Sequence, residues 1–150
     1  VSGRKVRLAV RGLILHENRL LLVNAWPGGK SDLWCAPGGG VEPHQSLPDN
    51  LAREIHEETG LTVAVGAPAL VNEFHAPAHG FHQVDIYFRC TITGGTLSPG
   101  WTDPEGIVDR RRFVTREEIA TLRFKPDSLP AVAWGEPGAI AYDPIEPVVR

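Results

Sequence analysis

Glu54, Glu57 and Glu58 place three carboxylates within five residues, and Arg53 precedes them. On a helix turning about 100° per residue, Leu47, Leu51 and Ile55 form one apolar stripe. Glu54 and Glu58 fall beside or within that stripe, Glu57 lies on its flank, and Asp49, Arg53 and His56 fall on the far side. A carboxylate on an inward face is costly unless a cation meets it. Arg53 can pair with Glu57 one turn on, but it cannot serve all three. A hard divalent cation held by carboxylate oxygens, Mg²⁺ first, accounts for the pattern. An E-x-x-E-E run is also compatible with a plain solvated helix face. The apolar setting and a glycine loop entering the same helix separate the two readings.

The elements that position these residues are legible on either side. Gly38, Gly39 and Gly40 follow Pro37, so the chain can turn tightly and pass close to a ligand. Ser46 is an N-cap with Asp49 three residues on, and Pro48 fits a first turn. A helix is expected from about Leu47 to Thr59, with Gly60 as its C-terminal stop.

This segment resembles the signature of the Nudix hydrolases. The constrained positions are Gly39, Gln45, Arg53, Glu54, Ile55, Glu57, Glu58, Gly60 and Leu61, and all agree except Gln45, where the family has Glu. The lead-in from Leu33-Trp34 through Pro37 to Glu42 is similar to the family's as well. Outside residues 33–61 the likeness is one of outline. The resemblance implies an α/β/α sandwich, a mixed β-sheet between helices (α/β, or α+β). It implies Mg²⁺- or Mn²⁺-dependent hydrolysis of a nucleoside diphosphate linked to another moiety. It also implies a main-chain carbonyl near Gly38 or Gly39 in the coordination, beside Glu54, Glu58 and Glu57. Glu57 is then a candidate for the base, and a glutamate in a loop before the last strand adds a metal ligand or acts as the base; Glu105 in Asp103-Pro104-Glu105-Gly106 sits in the right place, or is a plain exposed loop carboxylate. Arg53 would orient the glutamates. Gln45 keeps the size and hydrogen bonding of Glu but not its charge, so activity is expected to survive with weaker metal binding.

The rest of the chain bounds the reading. Its 150 residues, 42% hydrophobic and 22% charged, suit one globular domain over 1–150. No apolar run is long enough to span a membrane, and the first residues lack a signal-peptide core. The absence of methionine implies that the chain as given lacks its initiator. Cys35 and Cys90 lack metal-ligand spacing and read as free thiols of a reducing compartment, with one disulfide left open. A cytoplasmic location is therefore expected. A net charge of −3 argues against a nucleic-acid polymer and for a small nucleotide substrate bridged by a cation.

Along the chain, 6–15 and 20–25 read as a hairpin around His16–Arg19. Arg7 and Arg11 share one face of the first strand; Arg11 is a candidate for a phosphate or simply the polar side of a half-buried strand. Pro27–Ser31 is a flexible loop without P-loop spacing, and Lys30 is its candidate substrate contact. Further strands are expected at 33–36, 61–65, 70–74, 83–92 and 107–114, with Gly66–Pro68 as a break. The loop 75–82 carries three histidines at loose spacing and reads as a mobile substrate-side loop rather than a zinc site. Phe74 or Phe81 could stack a base there, or pack in the core. Residues 94–106 form a loop. Arg111 alternates to the opposite face from Arg110 and Arg112; it either helps hold an anion or keeps an edge strand soluble. Thr115 to Glu118 is a capping box opening a short helix, 126–134 adds another, and about 135–150 is an extended tail. That tail packs either on its own domain or on a partner subunit; homodimers are common in the family.

Two other functions stay open at this level. A Nudix-like domain could bind or sense a nucleotide without hydrolysing it, and Gln45 is the feature on that side. An isomerase of isoprenoid diphosphates with this fold expects a catalytic Cys and Glu outside the signature, which Cys35 and Cys90 do not support.

Overall fold

The computed structural model describes residues 5–150. The expectation about the first residues of the chain falls mostly on 1–4, outside the described residues. Strand β1 (Arg7–His16) turns at Glu17 and Asn18, both at positive φ, into β2 (Arg19–Asn24). β3 (Trp34–Cys35) and β4 (Gly38–Gly40) lead into helix α1 (Leu47–Thr59). Two long strands follow, β5 (Thr62–Ala76) and β6 (Phe81–Gly94), then β7 (Arg111–Val114), α2 (Arg116–Ile119), α3 (Leu129–Ala133), β8 (Ala141–Tyr142) and β9 (Glu146–Pro147).

The strands form one mixed sheet in the order β3-β2-β1-β6-β5-β8, with β4 on β1, β7 on β2 and β9 on β5. β1 and β6 are parallel; β5 and β6 are antiparallel. Alternation along the strands divides the core between the two faces. Leu20 and Leu22 pack with Ile119, Leu129 and Ala133 of α2 and α3. Leu21, Val10 and Ile14 pack with Leu51 and Ile55 of α1. Helices therefore cover both faces, as an α/β/α sandwich requires.

α1 has its expected bounds because its ends are satisfied. The Ser46 side chain accepts the Asp49 N–H, and Gly60 takes the left-handed conformation at φ 77°. The other boundaries differ in instructive ways. The glycine segment is a strand: Gly38, Gly39 and Gly40 pair with Arg11, Val10 and Ala9. Gly66–Pro68 does not end a strand; β5 runs through it with register shifts between Val65, Pro68 and Leu70. A bulge absorbs the proline without breaking the ladder. Residues 107–110 stay outside the sheet, because side chains claim their N–H groups: Asp103 accepts those of Ile107 and Val108, and Asn24 at the end of β2 accepts those of Asp109 and Arg110. The tail is neither free nor purely extended: β8 and β9 add to β5 in parallel. Among the described residues no helix is long and apolar enough to cross a membrane. Cys35 and Cys90 are free thiols.

Candidate active site

α1 turns Glu54 and Glu58 inward, each only 6% exposed, and leaves Glu57 half-buried at the rim. Arg53, expected on the far side, folds back over them. Its Nη1 donates to Glu57 at 3.1 Å and its Nη2 lies 3.5 Å from Glu54. Asn50, fully buried one turn earlier, joins the helix to the glycine strand: it donates to the Gly40 carbonyl and accepts the Glu42 N–H. The two glycines beside Glu54 have different reasons to lack a side chain. A Cβ on Gly38 would sit 1.9 Å from the Val10 carbonyl oxygen, and one on Gly39 would sit 2.6 Å from the Glu54 carboxylate. The first glycine is needed by the sheet, and the second leaves room for the carboxylate itself.

Glu105 arrives from the loop before β7. The buried Asp103 carboxylate shapes that loop by accepting the N–H groups of Glu105, Ile107 and Val108. Trp101 pins it to the end of α1, with Nε1–H donated to the Glu57 carbonyl at 2.9 Å. As a result Glu54, Glu57 and Glu105 each offer a ligand atom within 4.8 Å of the others, the one such group among the described residues. Three hard oxygen donors on this spacing suit Mg²⁺ or Mn²⁺. Burial, then the neighbouring Glu105, raises the Glu54 carboxyl above its usual range. Both effects penalise the charged form, and Arg53 offsets them in part.

Glu58 lies behind this group. Its Oε1 accepts the Gly38 N–H at 2.9 Å, and burial pushes its carboxyl up to about 8 against the pull of Arg11 and that N–H. Gln45 is exposed, and its Oε1 accepts Arg53 Nε at 3.3 Å.

Glu54 and Glu105 open on a cleft of about 560 Å³ whose wall also includes Gly38, Gly39 and Glu58, while Glu57 stands outside that wall. Arg11 and Phe81 line it too. Arg11 is 18% exposed, 3.7 Å from the buried Asp85, and donates to the Ala36 carbonyl. Gln83 donates to Asp85 at 2.7 Å, and Arg7 donates to Gln83 in turn. Phe81 faces Phe74 with ring centroids 6.0 Å apart. Two expected substrate contacts fall elsewhere. Lys30 is exposed and forms no part of the cleft wall. Arg111 is also absent from it: its guanidinium donates to the main-chain carbonyls of Glu58, Trp101 and Val108, so it clamps the loop to α1. The histidine loop is a hairpin turn, and no histidine joins a metal-binding group among the described residues.

Sequence reasoning missed Asp85, Gln83, Asn50 and the contribution of the tail. Asn50 had a local signal, since an amide on the inner side of a helix needs partners.

A profile of the NUDIX domain matches residues 5–135. The chain belongs to the NUDIX family. This NUDIX domain is 32% identical over 95 residues to the ADP-ribose pyrophosphatase of Methanocaldococcus jannaschii, covering 62% of this chain and 55% of that protein. It is 29% identical over 111 residues to a MutT-like protein of Streptomyces ambofaciens, covering 69% and 68%. The chain spans about half the length of the first curated relatives it matches. Its fold is that of an ADP-ribose pyrophosphatase structure from Streptococcus suis, with TM-score 0.68 and 21% identity over 91% of this chain and 98% of that one.

Proposed function

We propose that this NUDIX protein is a metal-dependent hydrolase that cleaves the pyrophosphate bond of a nucleoside diphosphate linked to another moiety. The observation that carries this is the convergence of Glu54, Glu57 and Glu105, two of which line a cleft large enough for such a substrate. Mg²⁺ or Mn²⁺, when bound there, neutralises phosphate charge and makes water a better nucleophile. In this reading Glu54, Glu57 and Glu105 hold the ion, and Glu58 keeps the Gly38 segment in place. Arg53 fixes Glu57 and Glu54. Glu105, the most exposed of the cluster, takes the proton of the attacking water, with Glu57 as the alternative. Arg11 and the Phe74–Phe81 pair lie where they can meet the rest of the substrate. The curated relatives make ADP-ribose the first substrate to try.

The binding-only reading draws on Gln45, whose missing charge would weaken a metal site it belonged to. Its amide oxygen is engaged by Arg53 and it forms no part of the cleft wall, which gives that reading little support. The test is turnover of nucleoside diphosphate derivatives with and without Mg²⁺ or Mn²⁺, alongside Glu57→Gln. Metal-dependent turnover that the variant loses is expected. Ligand-induced thermal stabilisation with no turnover across the panel would replace hydrolysis by binding.

A further inference from the structure

The two halves of the sheet are joined by few β1–β2 pairs, Leu15 with Leu20 and His16 with Arg19. From there β2, with β3 and β7, diverges from the half that holds β1, β6 and β5, and the cleft opens between them. The last residues cross this opening. They begin on β5: Asp143 N–H donates to the Val71 carbonyl and Val148 N–H to the His75 carbonyl, each at 3.0 Å. Glu146 is held by Lys125 Nζ at 3.4 Å and Asn72 Nδ2 at 3.3 Å. The chain then leaves β5 for Trp26, which follows β2 on the other half. Trp26 Nε1–H donates to the Val149 carbonyl at 3.0 Å, and the Arg150 guanidinium lies 4.1 Å from the Trp26 ring centroid. Arg123 donates to the Arg150 carbonyl. Pro147, Val148, Val149 and Trp26 all line the cleft.

We propose that Glu146–Arg150, latched by Trp26, is a strap that walls the cleft and selects, by size, the group linked to the diphosphate. The proposal rests on the reading of this cleft as a nucleoside diphosphate site. The strap is held by polar ties at the surface and not by a buried apolar core: edge hydrogen bonds to β5, Lys125 and Asn72 on Glu146, one indole N–H, one stacked cation and Arg123 on the last carbonyl. Such a wall yields before the core does. A compact substituent fits beneath Val148 and Val149; a bulky one must release the Trp26–Val149 bond first. Carboxylates from α1 and the Glu105 loop set the chemistry at one end, while a segment distant in sequence sets the allowed size.

The test is calorimetric and needs no turnover. Two non-hydrolysable probes are titrated with Mg²⁺ present: an α,β-methylene nucleoside diphosphate, bare, and the same analogue esterified to a second nucleoside. The unsubstituted chain is expected to prefer the bare analogue. Trp26→Ala should lower that preference about tenfold, the scale at which pocket size discriminates between ligands. Arg150→Ala, at an exposed position, should lower it about threefold by removing the cation over the ring. Circular dichroism establishes that each variant is folded, and Arg150→Ala decides the matter if Trp26→Ala is not. No preference in the unsubstituted chain, or the same preference in the folded variants, overturns the strap while leaving the nucleotide site in place. Failure of both probes to bind the unsubstituted chain overturns the nucleotide reading, and the strap with it.

Discussion

The carboxylate end of the cleft and its floor handle charge in opposite ways. Glu54, Glu57 and Glu105 bring ligand oxygens within 4.8 Å of one another, and Arg53 is the cation that touches two of them. On the floor, Asp85 meets Arg11 at 3.7 Å and takes the Gln83 amide at 2.7 Å, so each charge has its partner within the chain. A paired buried charge serves the fold, and taking away one partner strands the other. Like charges gathered without equal cations do the reverse, since they lower stability and wait for a ligand. The two regions should therefore answer the same kind of mutation in opposite senses.

The largest effect is expected at the carboxylate end. Glu57→Gln should reduce metal-dependent turnover by about 10²–10⁴-fold, the range for losing a ligand or base at the reacting centre. Stability of the metal-free chain should change by less than about 1 kcal/mol, because the lost pair with Arg53 is half-exposed and the lost repulsion offsets it. Steady-state kinetics and a urea melt of the same sample check both halves. A large loss of stability would make Glu57 part of the scaffold and dissolve the contrast.

On the floor, Asp85→Ala should cost about 3–5 kcal/mol, since it leaves Arg11 without its carboxylate and a buried Gln83 amide without its acceptor. The urea midpoint should fall with no change in slope. A cost under about 1 kcal/mol would mean that water or Ala36 replaces the partner and that the floor is not built on pairing.

What the sequence made legible follows the same division. α1, its caps and the inward turn of Glu54 and Glu58 depend on neighbours within a turn or two, and the bounds Leu47–Thr59 agree with the structure. Glu105 was found only through family resemblance, because its place depends on Asp103 and Trp101 folding a loop back onto α1. The pairing of Arg11 with Asp85 depends on the parallel register of β1 on β6, which no local pattern encodes. Arg111 reads in the sequence as an anion contact or a solubilising edge charge for a related reason. A strand arginine reads as available until the carbonyls of Glu58, Trp101 and Val108 are seen to surround it. The tail looked extended because its prolines exclude helix, and nothing in it signals that it pairs with β5.

Glu58 sits between the two regions and gives a smaller, pH-dependent effect. Its folded carboxyl value, about 8, lies above the ordinary 4.5, so between those values the native chain holds a proton that the unfolded chain has released. Stability from this group is therefore full below the unfolded value and is lost as pH rises through the folded one, with a slope of at most about 1.4 kcal/mol per pH unit. Glu58→Gln is neutral throughout and can still accept the Gly38 N–H. It should flatten the stability of the metal-free chain between about pH 5 and about pH 8. Urea melts at the two ends of that window measure the difference; equal slopes in both proteins would place the proton elsewhere.

The smallest effect should come from the departure in the signature. Gln45 invites the expectation of weaker metal binding, because Glu at that position would carry a charge. The geometry predicts otherwise. Its amide oxygen meets Arg53 Nε at 3.3 Å, and Arg53 already holds Glu57 at 3.1 Å. Gln45→Glu would add an exposed ion pair to an arginine that has carboxylates to spare, worth less than about 0.5 kcal/mol. The Mg²⁺ concentration for half-maximal turnover should move less than about twofold, since the added charge would be screened and taken up by Arg53. A shift of tenfold or more would show that a carboxylate at position 45 reaches the cation. The gathered charge would then extend beyond Glu54, Glu57 and Glu105, and Gln45 would be a tuned loss of affinity instead of a substitution that Arg53 absorbs.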